Sequence, residues 1–124
     1  MNKAEDIFNY LQTQKVMETL FFNERPIEFE ERNFAIFNCN SIKKTYSYSS
    51  NMQYKCNIKV YNEDFNALMQ IVEAVKNLFF NSSSKKLNDN CIVREMNFNS
   101  TTFSQTKYKS QSINLAEIEF SMVI

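Results

Sequence analysis

The sequence contains no glycine, no histidine and no tryptophan, and it has a single proline. Without glycine, the chain cannot form the glycine-rich loops that bind phosphate in nucleotide-binding proteins. Without histidine, it lacks the commonest general base and metal ligand of proteins. These absences exclude several familiar catalytic and cofactor-binding sites, so we expect a protein that is not an enzyme.

Asparagine is unusually frequent, with 17 copies in 124 residues. Asparagine enters the left-handed region of backbone space more readily than most other residues do. In a chain without glycine, we therefore expect asparagine to occupy the turns in which glycine is usually found.

The three cysteines are Cys39, Cys56 and Cys91, and no two of them form a C-x-x-C pair. A metal site made from them would need a fourth ligand, and no histidine can provide it. Cys91 opens a predicted strand, but no base can be named beside it, so a small apolar core residue is favoured over a nucleophile. We expect reduced thiols in an intracellular protein, with no metal and no cofactor.

Positive and negative charges balance, with 14 lysines and arginines against 14 acidic residues. General nucleic-acid binders normally carry a basic excess, whereas a net charge near zero favours self-association. The length of 124 residues suits one domain, residues 1–124, with one core. The acidic start "MNKAEDIFNY" lacks the apolar run of a signal peptide and no stretch approaches a membrane span, so we expect a soluble, cytoplasmic product without membrane contact.

Apolar spacings of three and four residues predict two helices. The first ends near Gln14, and the second follows a cap at Asn62 with Glu63 and Asp64 in its first turn. So broad an apolar arc on the second helix implies burial against a sheet on one side and against the first helix or another subunit on the other. The stripe comprises Phe65, Leu68, Met69, Val72, Val75 and Phe79.

Alternating apolar and polar residues predict five strands. The fold class is therefore α+β, with element order α-β-β-β-α-β-β and two helices packed on one face of a mostly antiparallel sheet. We expect a hairpin turn near residues 49–51, a loop in "NSSSKKLNDN", and a long flexible hairpin tip in "STTFSQTKYKSQ". The strands lie in "METLFFNERP", "NFAIFNC", "MQYKCNIKVY", "CIVREMNFN" and "INLAEIEFSMVI".

Several acidic side chains occur in pairs, and three of these pairs are candidates for a site. Two pairs are spaced by two residues on predicted strands, which places both carboxylates on one face. That spacing suits the paired carboxylates of an acid–base site, but a solvated or interface-facing strand edge is the favoured interpretation. The strand pairs are Glu28 with Glu30 and Glu117 with Glu119, and the third pair is Glu63 with Asp64.

Lysines cluster in predicted loops and hairpins. Basic loops interleaved with aromatic residues are typical of contacts to phosphates and bases, whereas solvated loop tips are the alternative that neutral net charge favours. A ring of copies would gather such loops into a basic collar. The lysines are Lys43 and Lys44, Lys85 and Lys86, and Lys107 and Lys109 on either side of Tyr108.

Phe103 lies in a polar stretch with no apolar stripe, which makes it a candidate for docking a partner.

Four segments of the chain resemble, in their order and their residue patterns, those of a known protein family. The segments are "AEDIFNYL", "PIEFEERNFAIFNC", "YKCNIKVYNEDFNALMQIVEAVKNLFF" and "INLAEIEFSMVI". Together they resemble the tail terminator, or tail-completion, proteins of long-tailed bacteriophages and phage-like particles. The resemblance covers most of the chain and is one of pattern rather than of a signature motif.

This resemblance implies a structural protein of the virion that carries no catalytic residues. Such proteins form rings, usually of six copies, that cap the head-proximal end of the tail tube and connect it to the neck. The implied partners are further copies of the chain, the tail tube protein and a neck or head-completion protein, with assembly in the host bacterial cytoplasm. In such a ring the lysine loops could touch genomic DNA in the lumen, and Glu117 and Glu119 would face a neighbouring subunit or the lumen.

The sequence leaves three alternatives open. The first is another head–tail connector protein of the neck. The second is a small phage-encoded inhibitor of a host protein, in which the acidic stretch "EFEER" would imitate nucleic acid. The third is a small enzyme that uses paired carboxylates.

Overall fold

The computed structural model describes residues 3–17, 19–23, 33–44, 52–78, 85–88, 91–93, 95–108 and 111–124. Two helices and seven strands occur in these ranges. Five of the strands form the main sheet and two form a small separate sheet. In chain order the elements are α1 (Lys3–Gln14), β1 (Leu20–Phe22), β2 (Phe34–Lys44), β3 (Met52–Asn62), α2 (Phe65–Leu78), β4 (Lys85–Asn88), β5 (Cys91–Val93), β6 (Glu95–Tyr108) and β7 (Gln111–Val123).

The main sheet has the order β1-β2-β3-β7-β6. β1 runs parallel to β2, and every other neighbouring pair is antiparallel. The C-terminal strand β7 therefore lies inside the sheet, between β3 and β6. This arrangement confirms the predicted α+β class, the element order and the mostly antiparallel sheet.

The core lies on one face of the sheet, because the register brings apolar residues of neighbouring strands into rows. Phe37, Ile58 and Ile118 make one such row across β2, β3 and β7, and all three are fully buried. Alternation along each strand repeats this pattern at every second residue. Cys56, Ile58 and Val60 of β3 are buried, at every second position of a strand in which apolar and polar residues alternate.

Both helices pack on this same face, as predicted. α1 contributes Ile7 and Leu11 to the core, and α2 contributes Leu68, Val72 and Val75. α1 ends at Gln14, where the sequence places its end. Among the described residues, neither helix is long and apolar enough to cross a membrane.

The start of α2 differs from the prediction. The helix begins at Phe65, and its cap is Asp64, whose Oδ1 accepts a hydrogen bond from the backbone N–H of Asn66 at 2.9 Å. Asn62 lies at the end of β3, and its Oδ1 accepts from the backbone N–H of Asp64 at 2.8 Å. Asn62 therefore shapes the turn before the helix, and Glu63 and Asp64 precede the first turn rather than lie in it.

Several strand boundaries also differ. β1 is followed by a turn at Asn23, while Pro26 and the hairpin turn predicted at residues 49–51 lie outside the described residues. "CIVREMNFN" is divided between β5 and β6, and the predicted loop "NSSSKKLNDN" contains β4. Polar strands of this kind carry no apolar alternation, so a hydrophobic pattern cannot reveal them.

Candidate assembly surface

The largest exposed apolar side chains in the described residues lie together on the helix-covered side of the molecule. Phe65 is 48% exposed, Phe103 is 41% exposed and Met69 is 38% exposed. The rings of Phe65 and Phe103 meet edge to face with their centroids 5.8 Å apart. We call these three residues the aromatic patch. A contiguous apolar surface of this kind commonly marks a site that contacts another protein.

The fold explains how residues 38 positions apart in sequence form this patch. Phe65 is the first residue of α2, and Met69 follows one helical turn later. Phe103 lies opposite Ala116 in the register of β6 and β7, so it points to the same face as the buried residues of β7. The sequence marks Phe103 as a docking candidate but assigns Phe65 and Met69 to the buried stripe of α2.

Strand β6 lies beside the aromatic patch at an edge of the main sheet. It is 14 residues long, and β7 is its one partner strand in the described part of the chain. Most of its side chains from Asn97 to Lys107 are exposed. Its only charged residues are Glu95 and Lys107, and it contains no proline. A long edge strand with so few charges is a template for pairing with another strand.

Glu117 and Glu119 lie on the opposite face of the sheet, away from the helices. Asn57 Nδ2 donates a 2.6 Å hydrogen bond to Oε2 of Glu117, and Ser100 Oγ donates one of 3.4 Å to Oε2 of Glu119. Both side chains are half-buried. The two carboxylates are therefore held by polar side chains of neighbouring strands. Their predicted place in a subunit interface stays a prediction.

The lysines predicted in loops lie in strands. Lys43 and Lys44 end β2, Lys85 and Lys86 begin β4, and Lys107 and Tyr108 end β6. Each of these stretches has a paired partner strand, which is why it forms no loop. Lys109 lies outside the described residues.

The sheet register separates these lysines. Lys44 lies opposite Met52, and the next residue of β3, Gln53, lies opposite Val123 at the end of β7. Tyr108 lies opposite Gln111 at the start of β7, which is the other end of the sheet. One molecule therefore presents basic residues at both ends of its sheet. A single basic collar from all the predicted loops does not follow from this arrangement.

The predicted flexible hairpin tip is instead a regular pair of strands. β6 and β7 stay paired up to Tyr108 and Gln111, so only residues 109 and 110 connect them. Gln105 Nε2 donates a 3.3 Å hydrogen bond to Asn114 Oδ1, and Asn114 Nδ2 donates one of 3.2 Å to the carbonyl of Glu63. These bonds tie the hairpin to the turn before α2 and so fix Phe103 beside Phe65.

A cleft of about 580 Å³ lies between α2 and the start of β2. Among the described residues that line it, Asp64 is the one acidic residue, and the carboxylate of Asp64 already caps α2. Glu28 and Glu30 lie outside the described residues. Within the described ranges, no three residues among histidine, cysteine, aspartate and glutamate are grouped closely enough to hold a metal ion.

Comparisons with known proteins give a structural match. No family model matches the chain, and no curated protein matches its sequence. A protein chain in the solved structure of the virion of a native gene transfer agent particle has the same fold. The match has a TM-score of 0.68 and covers 94% of this chain and 90% of that chain, at 10% sequence identity. At this identity, the likeness establishes a shared fold over nearly the whole of both chains.

Proposed function

We propose that this chain is a structural protein of a phage-like particle, in which six copies form a ring. The ring caps the head-proximal end of the tail tube and connects it to the neck. The observation that carries the proposal is the aromatic patch beside the long edge strand β6, on a fold that a gene transfer agent virion also uses. The protein acts by binding copies of itself and neighbouring virion proteins, not by catalysis.

The aromatic patch favours assembly because water contact with three large apolar side chains is unfavourable. Burying a side chain of this size contributes roughly 1.5–3 kcal/mol relative to full exposure. Phe65, Met69 and Phe103 already bury part of their surface within the chain, so the gain at an interface is smaller for each. Aromatic and methionine side chains are also enriched at the centres of protein interfaces.

The strand directions are compatible with head-to-tail pairing of copies, which a ring requires. β2 and β7 run one way, while β3 and β6 run the other way. In a head-to-tail ring with its axis along the strands, β6 of one copy meets the β1–β2 side of the next copy. β6 is antiparallel to β2, so the new pair is of the antiparallel type, which is the more stable pairing per residue. Within the described residues, β1 pairs with three residues of β2, Ala35–Phe37.

The inhibitor hypothesis has no comparable support. Its acidic stretch, residues 28–32, lies outside the described residues. The role of the lysines toward DNA in the lumen stays a prediction, as does the identity of the tube and neck partners.

The test is the mass of the purified protein in solution, with and without tail tubes of the particle that encodes it. We expect light scattering to give roughly six times the 14.7 kDa chain mass, or a monomer that joins tube ends as a ring in electron micrographs. Replacing Phe65→Ser and Phe103→Ser together should abolish the ring and leave the circular dichroism spectrum unchanged. The control is Asn77→Ser, an exposed position of the same helix.

Two results would contradict the proposal. One is a monomer that never joins tube ends. The other is a dimer in which two β6 strands pair about a two-fold axis, because that contact closes on itself and leaves no edge for a third copy.

A further inference from the structure

Cys39 and Cys56 form a directly opposed pair on neighbouring strands. The two residues are register partners in β2 and β3, and their sulfur atoms are 3.3 Å apart. Cys56 Sγ donates a hydrogen bond to Cys39 Sγ. Both side chains lie on the helix-covered face, where Cys56 is fully buried and Cys39 is half-buried.

We propose that Cys39 and Cys56 form a redox site: a dithiol that oxidises to a cross-strand disulfide within one chain. A disulfide needs an S–S distance of about 2.05 Å and Cα atoms about 4.4–6.8 Å apart. Directly opposed residues of antiparallel strands have Cα atoms about 4.5–5.5 Å apart, which is inside this range. The sulfur atoms, now 3.3 Å apart, therefore need to approach by only about 1 Å.

The half-buried thiol of Cys39 reacts first. Its thiolate attacks a small disulfide such as oxidised glutathione, forms a mixed disulfide and releases one glutathione thiolate, which takes up a proton. The thiol of Cys56 then loses its proton to solvent, and its sulfur attacks Cys39 Sγ and displaces the second glutathione. The sum is two protein thiols and one oxidised glutathione giving one protein disulfide and two reduced glutathione molecules.

The environment of Cys56 supports this order. The hydrogen bond to Cys39 and then burial raise the pKa of the Cys56 thiol far above its ordinary value. While Cys39 is unmodified, Cys56 therefore stays protonated, and the reagent does not reach it directly. After Cys39 has reacted, its sulfur is held next to Cys56, so closure of the ring competes well with release of the reagent.

The disulfide would join β2 to β3 in the middle of the sheet. It closes a chain segment of 18 residues, which stabilises a protein mainly by restricting its unfolded state. The redox site goes beyond the proposed function and does not depend on it. The biological role of the disulfide does rest on the proposed function. In a virion component, the disulfide would form after the particle leaves the reducing cytoplasm and would stabilise the folded sheet.

The experiment uses the purified full chain, incubated with oxidised glutathione under native conditions and then alkylated with N-ethylmaleimide after denaturation. We expect a product that is lighter by two hydrogens and carries one alkyl group, with peptide mapping that links Cys39 to Cys56. The melting temperature of this product should exceed that of the reduced protein by roughly 5–10 °C.

The matched variants are Cys39→Ser, which should give neither the linkage nor the shift, and Cys91→Ser, which should retain both. Peptide mapping of the unsubstituted chain gives the same answer if a variant does not fold. A mixed glutathione adduct as the end product, a linkage that involves Cys91, or a linkage between two chains would overturn the proposal. None of these results depends on whether the protein forms a ring.

Discussion

At the scale of single residues, two backbone positions show how a chain without glycine makes its turns. Lys15 follows α1 with φ at 56°, and Asn23 follows β1 with φ at 73°. Both lie in the left-handed region, which costs a residue with a Cβ roughly 1–2 kcal/mol, less for asparagine. At Asn23, asparagine takes a position that glycine usually occupies, whereas Lys15 occupies such a position without that advantage.

Substitutions at these two positions should have opposite effects on stability. Lys15→Gly should raise the free energy of unfolding by about 1 kcal/mol, because glycine adopts this φ without a steric cost. Asn23→Ala should lower it by about 1 kcal/mol, because alanine does not tolerate the left-handed region as asparagine does. Urea denaturation measures both changes.

Asn77→Ser is the control and should change stability little, since Asn77 is an exposed residue within α2 and serine and asparagine have similar helix propensities. A loss of stability in Lys15→Gly would show that Lys15 makes a contact that outweighs its backbone cost.

At the scale of elements, helix α2 shows that a helix start can be predicted correctly while its capping residue is predicted wrongly. The sequence "YNEDF" places Asn62 and Asp64 before an apolar run, and both are of residue types that commonly cap helices. The hydrogen bonds select Asp64 as the cap and leave Asn62 to shape the preceding turn. Asp64 is the cap because β3 extends to Asn62, which is still paired with Asn114 of β7. The helix therefore begins after the turn that follows Asn62.

Removing the cap should destabilise the fold. Asp64→Ala should lower the free energy of unfolding by about 1 kcal/mol, because the N–H of Asn66 loses its acceptor and the helix terminus loses a favourable negative charge. Thermal or urea denaturation near pH 7 measures the change. Asn66→Ala keeps the same backbone N–H and should change stability by much less. Equal losses in the two variants would argue against a capping role for Asp64.

Some strands of this protein can be recognised from the sequence and others cannot. In β3, buried and half-buried or exposed side chains alternate, so its core face follows from Cys56, Ile58 and Val60 alone. In β6, the stretch from Asn99 to Lys107 is polar except for Phe103, and its strand structure comes from pairing with β7. A polar edge strand gains its stability from the neighbouring strand, which no local pattern records.

At the scale of the whole molecule, balanced charge and a localised apolar surface point to one kind of association. The chain carries as many basic as acidic residues, and the aromatic patch contains no charged side chain. Contacts between such surfaces depend on removing apolar area from water. Salt does not screen that interaction as it screens charge pairs.

Raising the salt concentration should therefore leave assembly nearly unchanged or strengthen it. Raising the salt from about 0.1 M to about 1 M shortens the Debye length from about 10 Å to about 3 Å, which suppresses contacts between exposed charges. Assembly through the aromatic patch should persist over this range, as analytical ultracentrifugation can measure. Dissociation at high salt would assign the contact to charged residues such as Lys107 or Glu119 instead.

The sequence by itself determined the fold class, the element order and the core face of β3, because periodic apolar residues must be buried together wherever they occur. It also indicated Phe103, since an isolated aromatic side chain in a polar stretch is conspicuous without a structure. Only the tertiary structure decided that Phe65 and Met69 are exposed beside Phe103, and that Cys39 lies opposite Cys56. Both depend on sheet register and helix placement, which result from packing across the whole chain and from no local segment.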